Sequence, residues 1–287
     1  MRQIGSDQWD LPTPCGDWNV RELVRHLVTE ARWTPPLLDG LTIEEAAPAL
    51  DGDLIGDDPL GAWESALAAT LKAADGSTVE NGITHLSMGD TPAQEYLHQL
   101  TADYLIHGWD LKCALGVDDR MDPDLLAMVS EWFAAHQAEY LAAGVIDPPA
   151  ATAPDADDQV RLLAMYGRDA RSATTAAAVG RFNAAFGRHD VDAVMAAMTD
   201  DCEFENTAPQ DGTRYVGQAA VRQAWTEFFA ASGSATFQTE EEIVCGDRVI
   251  ARWRYTWGPE PDDHVRGVDL FRVRDRLVAE KVSYVKG

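Results

Sequence analysis

The chain has 287 residues, of which 46% are hydrophobic, 25% charged and 8% aromatic. This composition supports a packed core and excludes a disordered or collagen-like chain, and the length favours two domains over one. No run approaches the roughly 18 consecutive apolar residues of a membrane-spanning helix, so we expect none.

The net negative charge argues against some classes of binding partner. There are 23 Lys and Arg against 48 Asp and Glu, a formal net charge of −25. A surface this acidic repels phosphate backbones and anionic lipids, so we expect no nucleic-acid and no membrane partner. The segment Met1–Trp9 lacks the apolar core of a secretory leader, and the four cysteines are widely spaced without a CxxC motif. Both features favour a reducing cytoplasm and argue against a disulfide framework.

The negative charge is concentrated in the first part of the chain. Residues 1–170 hold 9 Lys and Arg and 30 Asp and Glu, a net −21, whereas residues 171–287 hold 14 and 18, a net −4. Such asymmetry favours separate modules. The stretch Arg171–Thr175 reads as a linker, and we predict two domains, residues 1–172 and 173–287.

The first domain reads as a bundle of helices. Asn19 and Glu22 fit a capping box, and apolar residues follow at three- and four-residue spacing. We expect Pro35-Pro36 to end this helix. No segment of this half reads as a strand, so the pattern predicts an all-α bundle. Three further helices are predicted, over Asp58–Ala74, Thr91–Leu115 and Asp122–Ala143.

An acid and a histidine stand in the apolar stripe of the helix Thr91–Leu115. Asp103 and His107 are four residues apart, which makes them neighbours on one helical face. Burying an ionisable pair costs free energy unless the groups are paired or bind a metal. Two interpretations remain open: a buried Asp–His hydrogen bond that only joins helices, or a metal site with His26 as third ligand. His98 lies on the opposite face and is expected to be exposed.

Two blocks of this half resemble a known family. The first consists of Trp9–Cys15 and Trp18–Val28, and the second is Asp103–Leu111. They are similar to actinobacterial DinB-like proteins, which are related to the N-terminal domain of mycothiol-dependent maleylpyruvate isomerase. The resemblance covers most of residues 8–170.

The resemblance implies a four-helix bundle that holds a divalent metal, commonly zinc, on two histidines and one carboxylate. Matched position by position, the ligands are His26, Asp103 and His107. It also implies a low-molecular-weight thiol cofactor such as mycothiol, and an isomerase or transferase reaction on a small organic substrate. We interpret Cys15 as structural. Asp110 could support or replace a ligand, although a helix-stabilising role is favoured.

The second domain reads as helices followed by strands, the order of an α+β fold. Helices are expected within residues 176–199, broken at Gly187–Asp190, and over Val216–Ala231. Turns at Gly246-Asp247 and Asp275-Arg276 join antiparallel strands as hairpins. The four predicted strands are Ala235–Cys245, Arg248–Trp257, His264–Arg274 and Leu277–Lys286.

Three segments of the second half carry a further resemblance. They are Phe182–Asp192, Tyr215–Gly217 and Val268–Val273. These are similar to the SnoaL-like and ketosteroid isomerase-like superfamily of curved-sheet cones. Because this fold hosts cyclases, isomerases, hydrolases and binding proteins, the resemblance implies a fold more strongly than a function. The cone would hold a small apolar substrate or mediate homodimer formation.

Strand alternation singles out one acid in the predicted cone. Along His264–Arg274, Asp269 is the one charge on a face that also carries Gly267 and Phe271. The resemblance places this face on the pocket, where a carboxyl with a pKa raised by desolvation could serve as general acid or base. A hydrogen bond from Asp269 to a neighbouring strand side chain fits the pattern equally.

These residues and resemblances lead to three alternative hypotheses for the function. The leading one is a cytoplasmic, metal-dependent isomerase or transferase, in which zinc on His26, Asp103 and His107 keeps an open position for a thiol or water. The second is a cyclase or isomerase in the cone, with Asp269 as acid or base and the bundle as a structural metal domain. The third is a non-enzymatic protein that binds a metal and a small molecule.

Overall fold

The computed structural model describes residues 1–16, 18–76, 79–87, 89–208 and 210–286. Within it the chain divides into two compact units, Met1–Asp169 and Ala170–Gly287, whereas we predicted the division after residue 172. The linker predicted at Arg171–Thr175 is wrong, because these residues form the first turns of helix α7 (Ala170–Gly187). In the described ranges, no helix is long and apolar enough to cross a membrane.

The first unit is helical with one small hairpin. The capping box at Asn19 is present: its side chain accepts from the Glu22 amide, and the Glu22 carboxylate accepts from the Asn19 amide. Two short elements follow the first helix, the helix α2 (Ile43–Ala46) and a 3-10 turn. The main helices are α1 (Val20–Leu38), α3 (Pro59–Ala74), α4 (Ala93–Leu115), α5 (Pro123–Ala142) and α6 (Asp158–Met165).

The prolines of α1 do not end it. Pro35 and Pro36 lie inside the helix, which continues to Leu38. A proline at position 35 cannot donate to the carbonyl of Ala31, four residues earlier. The hydroxyl of Thr70, on α3, donates to that carbonyl instead, at 2.7 Å. The neighbouring helix therefore satisfies the backbone group that Pro35 leaves free.

The expectation that this half contains no strand was also wrong. Strands β1 (Ile83–Leu86) and β2 (Gly89–Pro92) form an antiparallel pair. The buried Thr84 hydroxyl donates to the Thr91 carbonyl. Strands of four residues carry too few positions for alternation to be recognised. Because Thr91 belongs to β2, α4 begins two residues later than predicted.

In the residues that the structure describes, the second unit packs three helices on a six-stranded sheet, which confirms the predicted α+β class. Its helices are α7, α8 (Val191–Ala196) and α9 (Gln218–Ser232). Along the sheet the strand order is β4-β3-β8-β7-β6-β5, with β3 parallel to β8 and the other pairs antiparallel. The strands are β3 (Met198–Glu205), β4 (Arg214–Val216), β5 (Thr236–Cys245), β6 (Arg248–Thr256), β7 (His264–Arg274) and β8 (Leu277–Val285).

Strands β3 and β4 were missing from the predicted set. Residues up to 199 were expected to be helical, but α8 ends at Ala196 and β3 begins at Met198. The parallel pairing of β3 with β8 joins residues far apart in sequence, so local turn signals cannot reveal it. The hairpin turns are present, with Gly246, Asp275 and Arg276 at positive φ.

One helix-facing surface of the sheet forms the core of the second unit. Val249 of β6, Phe271 of β7 and Val278 of β8 point to this side and are fully buried. They pack with Phe182 from α7 and Trp225 from α9. Aromatic rings dominate the packing, and Trp225 stacks on Phe204 at a centroid distance of 3.9 Å.

Because Gly267 on β7 has no side chain, the Trp253 ring and the Tyr284 carbonyl can lie close to its backbone. A Cβ atom there would lie 2.2 Å from Trp253 Cζ2 and 2.3 Å from the Tyr284 carbonyl oxygen. We expect Gly267→Ala to destabilise the second unit by about 1–3 kcal/mol, because the backbone or the indole must move. Gly187→Ala is the matched control, since its Cβ would meet nothing within 4 Å. Thermal unfolding followed by near-ultraviolet circular dichroism measures both, and equal melting temperatures would contradict this account.

Candidate functional site

Two helices bring the three predicted ligands together in the first unit. His26 lies on α1, and Asp103 and His107 lie one turn apart on α4. His26 Nε2 is 3.1 Å and His107 Nε2 is 3.4 Å from the same oxygen, Asp103 Oδ1. One potential ligand atom from each residue lies within 4.8 Å of the other two. The side chains are half-buried, with exposed fractions of 12–26%.

The spacing of these atoms fits a divalent metal. Ligands about 2.0–2.1 Å from a tetrahedral zinc ion lie roughly 3.3 Å from one another, close to the observed separations. The second oxygen, Asp103 Oδ2, is buried without a hydrogen-bond partner. An unsatisfied buried carboxylate oxygen is costly and calls for a proton donor or a cation. Among the described residues, no fourth His, Cys, Asp or Glu joins this group.

A buried acid holds the far side of the His107 ring. Asp110 has no solvent exposure, and its Oδ2 lies 3.0 Å from His107 Nδ1 and 2.9 Å from Arg168 Nη2. Because this carboxylate accepts from Nδ1–H, Nε2 is the ring nitrogen that faces Asp103 and would hold a metal. The contact with His107 agrees with the alternative in which Asp110 supports a ligand.

The pKa of His107 departs from its usual value. Burial lowers it, but hydrogen bonds to Asp110 and Cys15 and the charge of Asp103 outweigh the burial and raise the pKa to about 10. This raised pKa favours the protonated ring at neutral pH. A cation on Nε2 would displace this proton, so metal binding and proton release are coupled.

A second group of potential ligands shares His107. Cys15, His107 and Asp110 also offer atoms within 4.8 Å of one another. Here the guanidinium of Arg168 already neutralises Asp110, and a second cation would be repelled. The ion-pair partners of Asp103 are the two imidazoles, which can give up a proton when a metal binds, so the geometry favours a metal at this group.

The ligand group opens into a cavity of about 900 Å³. Glu30, one turn after His26, also lines it, and its Oε1 lies 4.0 Å from His26 Nδ1. Burial and the nearby charge of Asp103 raise the pKa of Glu30. Large rings form much of the remaining wall, contributed by Trp18, Trp33, Tyr96, Trp132, Tyr140 and Tyr166.

Sequence reasoning missed several of these neighbours. Trp18 lies against both histidines, with centroids 4.9 Å from His26 and 5.8 Å from His107. Glu30 was recoverable, because it stands four residues after His26 on the same helical face. Arg168 gave no local signal, since 58 residues separate it from Asp110.

His98 differs from its prediction. It is half-buried and stacks on the Trp132 ring at a centroid distance of 6.2 Å. The same indole donates to the carboxylate of Glu95. Helix α5 therefore covers part of the face of α4 that was expected to be open.

The structure places Asp269 in the core of the second unit. It is 1% exposed, and its Oδ2 lies 2.7 Å from Nζ of the buried Lys281 on β8. Lys281 Nζ also donates to Ser283 Oγ at 2.6 Å. Burial lowers the pKa of Lys281, and the charge of Asp269 opposes this effect. The contact with Lys281 on the adjacent strand agrees with the alternative in which Asp269 is hydrogen-bonded to a neighbouring strand side chain, and it adds an ion pair.

Curated relatives match part of the chain. Two uncharacterized proteins, from two strains of Mycobacterium tuberculosis, are each 30% identical over 135 residues. The match covers 44% of this chain and 64% of each relative, so the chain spans less than two thirds of their length.

Solved structures similar to the chain cover about two fifths of it. An NTF2-like protein of unknown function from Mesorhizobium loti is 41% identical, with 41% of this chain and 94% of that chain covered and a TM-score of 0.36. A putative ketosteroid isomerase from Kribbella flavida is 19% identical, with 40% and 78% covered and a TM-score of 0.35. A putative polyketide cyclase from Sinorhizobium meliloti is 24% identical, with 37% and 92% covered and a TM-score of 0.33.

Two family models match the chain in succession. Residues 1–112 match the mycothiol maleylpyruvate isomerase N-terminal domain, and residues 179–281 match the SnoaL-like domain. Both resemblances read from the sequence are confirmed by these matches. The chain therefore joins an N-terminal domain of the mycothiol maleylpyruvate isomerase type to a C-terminal SnoaL-like domain.

Proposed function

We propose that the protein is an isomerase-type enzyme whose reaction centre is a divalent metal site in the N-terminal unit. The observation that carries the proposal is the convergence of His26 Nε2 and His107 Nε2 on Asp103 Oδ1, beside the unpartnered Oδ2. A zinc ion held by these three residues would lower the pKa of a coordinated water or thiol towards neutrality.

The residues around the ligands have defined tasks in this proposal. Asp110 orients the His107 ring and is itself held by Arg168. Trp18 packs against both imidazoles and limits their rotation. Glu30 offers a carboxyl group with a raised pKa at the cavity wall, suited to moving a proton to or from a bound substrate.

The cavity supports a small organic substrate. Its volume of about 900 Å³ lies within the usual range for small-molecule sites, and its aromatic wall suits an apolar or planar compound. The mycothiol dependence named in the matching family supports a low-molecular-weight thiol as cosubstrate. The four cysteines, Cys15, Cys113, Cys202 and Cys245, are free thiols, which supports the proposed reducing, cytoplasmic location.

Metal binding is the direct test. Chelated protein titrated with Zn²⁺ or Co²⁺ should take up one ion per chain. His107→Ala should weaken binding by more than about 100-fold, because removing a ligand costs more than removing its supporting partner. His136→Ala is the control: this residue lies in the same unit, and its ring packs on Trp132. The proposal fails if His107→Ala and the control bind the ion equally.

The same metal titration tests whether Asp110 strengthens metal binding by orienting His107. Asp110→Asn should reduce metal affinity by roughly 10–100-fold, because the amide no longer fixes the Nδ1 proton. The Co²⁺ absorption spectrum should keep its tetrahedral character, since the three ligands remain. An unchanged affinity would show that Asp110 serves only the fold.

In a second candidate function, the reaction takes place in the SnoaL-like unit. Asp269 Oδ1 is buried without a hydrogen-bond partner, which supports the hypothesis of an acid–base role for this residue. The pair with Lys281 also fits a structural role, because charges this deeply buried must neutralise each other. A non-enzymatic metal and small-molecule binder is the third candidate, and a fourth protein ligand closing the metal site would favour it.

Unfolding measurements distinguish a structural role of the Asp269–Lys281 pair from a catalytic one. Lys281→Met should destabilise the protein by about 3–5 kcal/mol, because it leaves Asp269 as an uncompensated buried charge. The double variant Asp269→Asn/Lys281→Met should recover part of that loss. If Lys281→Met unfolds like the wild type, the pair is not a structural ion pair. Turnover that survives His107→Ala but is lost in Asp269→Asn would move the reaction to the cone.

A further inference from the structure

Within the described ranges, Tyr166 is a cavity residue whose hydroxyl lacks a hydrogen-bond partner. The residue follows the last turn of α6 and lines the cavity around the proposed metal site. It is 7% exposed, and its hydroxyl oxygen is buried. An unsatisfied buried hydroxyl lowers the stability of the fold, so its position beside a cavity points to a ligand as its partner.

Packing and hydrogen bonds hold the Tyr166 ring in place. The ring stacks on the fully buried Phe133 at a centroid distance of 3.8 Å and an interplanar angle of 15°. Arg168 Nη1 donates to the Tyr166 carbonyl at 2.9 Å. Gln137 Nε2 donates to the carbonyl of the preceding residue at 3.1 Å. Because the ring is fixed in this way, the hydroxyl cannot move to a distant protein acceptor, and it is positioned before a ligand enters.

The same arginine connects Tyr166 to the ligand group. Arg168 Nη2 lies 2.9 Å from Oδ2 of Asp110, the carboxylate that supports a metal-binding histidine. Burial raises the pKa of Tyr166, the nearby Tyr140 and Asp103 raise it further, and Arg168 opposes this effect. The hydroxyl therefore keeps its proton at neutral pH. Asp103 lines the same cavity, so a donor and the predicted metal ligand border one space.

We propose that Tyr166 is a substrate-binding residue whose hydroxyl donates a hydrogen bond to an oxygen atom of the molecule bound beside Asp103. The inference rests on the proposed function, because the metal would anchor that molecule. It defines the ligand class as a compound with an acceptor oxygen, such as a carbonyl compound. A donor that is fixed in advance also stabilises negative charge that develops on this oxygen during a reaction.

Two other tyrosines of the first unit show that Tyr166 combines two separate properties. Tyr96 also lines the cavity, but its hydroxyl lies 3.1 Å from Thr34 Oγ1 and is therefore satisfied. Tyr104 has a buried hydroxyl without a partner among the described residues, but it packs on Trp63 and is not part of the cavity wall that they form. Tyr166 has both an unsatisfied donor and a place at the cavity.

Ligand binding to the cobalt-loaded full chain tests this proposal. Acetohydroxamate coordinates metals through oxygen and also offers acceptor oxygens, and its binding changes the visible absorption of Co²⁺. Tyr166→Phe should weaken acetohydroxamate binding by about 10-fold, because one hydrogen bond to the probe is lost. Tyr104→Phe is the matched control and should bind the probe like the wild type, since it removes a hydroxyl outside the cavity wall. Ethanethiol, which offers a weakly accepting sulfur, should bind the wild type and Tyr166→Phe equally.

Stability and metal content separate this inference from the proposed function. Without the probe, Tyr166→Phe should take up one Co²⁺ per chain and melt no lower than the wild type, because the hydroxyl that it removes has no partner among the described residues. Equal acetohydroxamate affinities of the two cobalt-loaded proteins overturn the inference and leave the metal site standing. An equal loss of affinity for ethanethiol also overturns it, since the defect would then lie in the metal site. A wild type that binds no Co²⁺ overturns the proposed function and this inference together.

Discussion

Asp110 carries a carboxylate with no exposure to solvent, and a buried charge of this kind persists only where donors surround it. His107 Nδ1 and the guanidinium of Arg168 are those donors. This arrangement links α4 to the segment that follows α6, so it fixes both the position and the tautomer of His107. The position of Nε2 relative to Asp103, and hence the whole ligand group, depends on it. Loss of the acid would free the ring to rotate without changing the helix that carries it.

The same principle operates in the second unit with a different result. Asp269 and Lys281 neutralise each other in a core built from aromatic rings, and Lys281 Nζ lies 5.4 Å from the Phe204 ring centroid. There the ion pair is enclosed, whereas in the first unit the unpartnered Asp103 oxygen lies beside a cavity. Each acid keeps one oxygen without a hydrogen-bond partner, but Asp103 lines a cavity that a ligand could enter, whereas Asp269 is 1% exposed. This contrast is the physical reason for placing the proposed reaction centre on His26, Asp103 and His107.

The two faces of the sheet show how the acidic composition is distributed. The helix-facing side is apolar, and the opposite side carries arginines and glutamates that pair across strands. The excess of negative charge therefore lies elsewhere, and the first 170 residues hold −21 of it.

Local sequence determined much of this protein. The capping box at Asn19, the four-residue spacing of Asp103 and His107, and the alternation that buries Asp269 all rest on residues within one turn or one strand. Both family resemblances rest on similarly compact blocks. Only the tertiary structure decided the rest, because it depends on partners distant in sequence. Thr70 satisfies the carbonyl that Pro35 leaves free, Arg168 neutralises Asp110, and Lys281 pairs with Asp269. Periodicity assigns a side chain to a face, but the group that faces it across the packing is fixed only when the chain has folded.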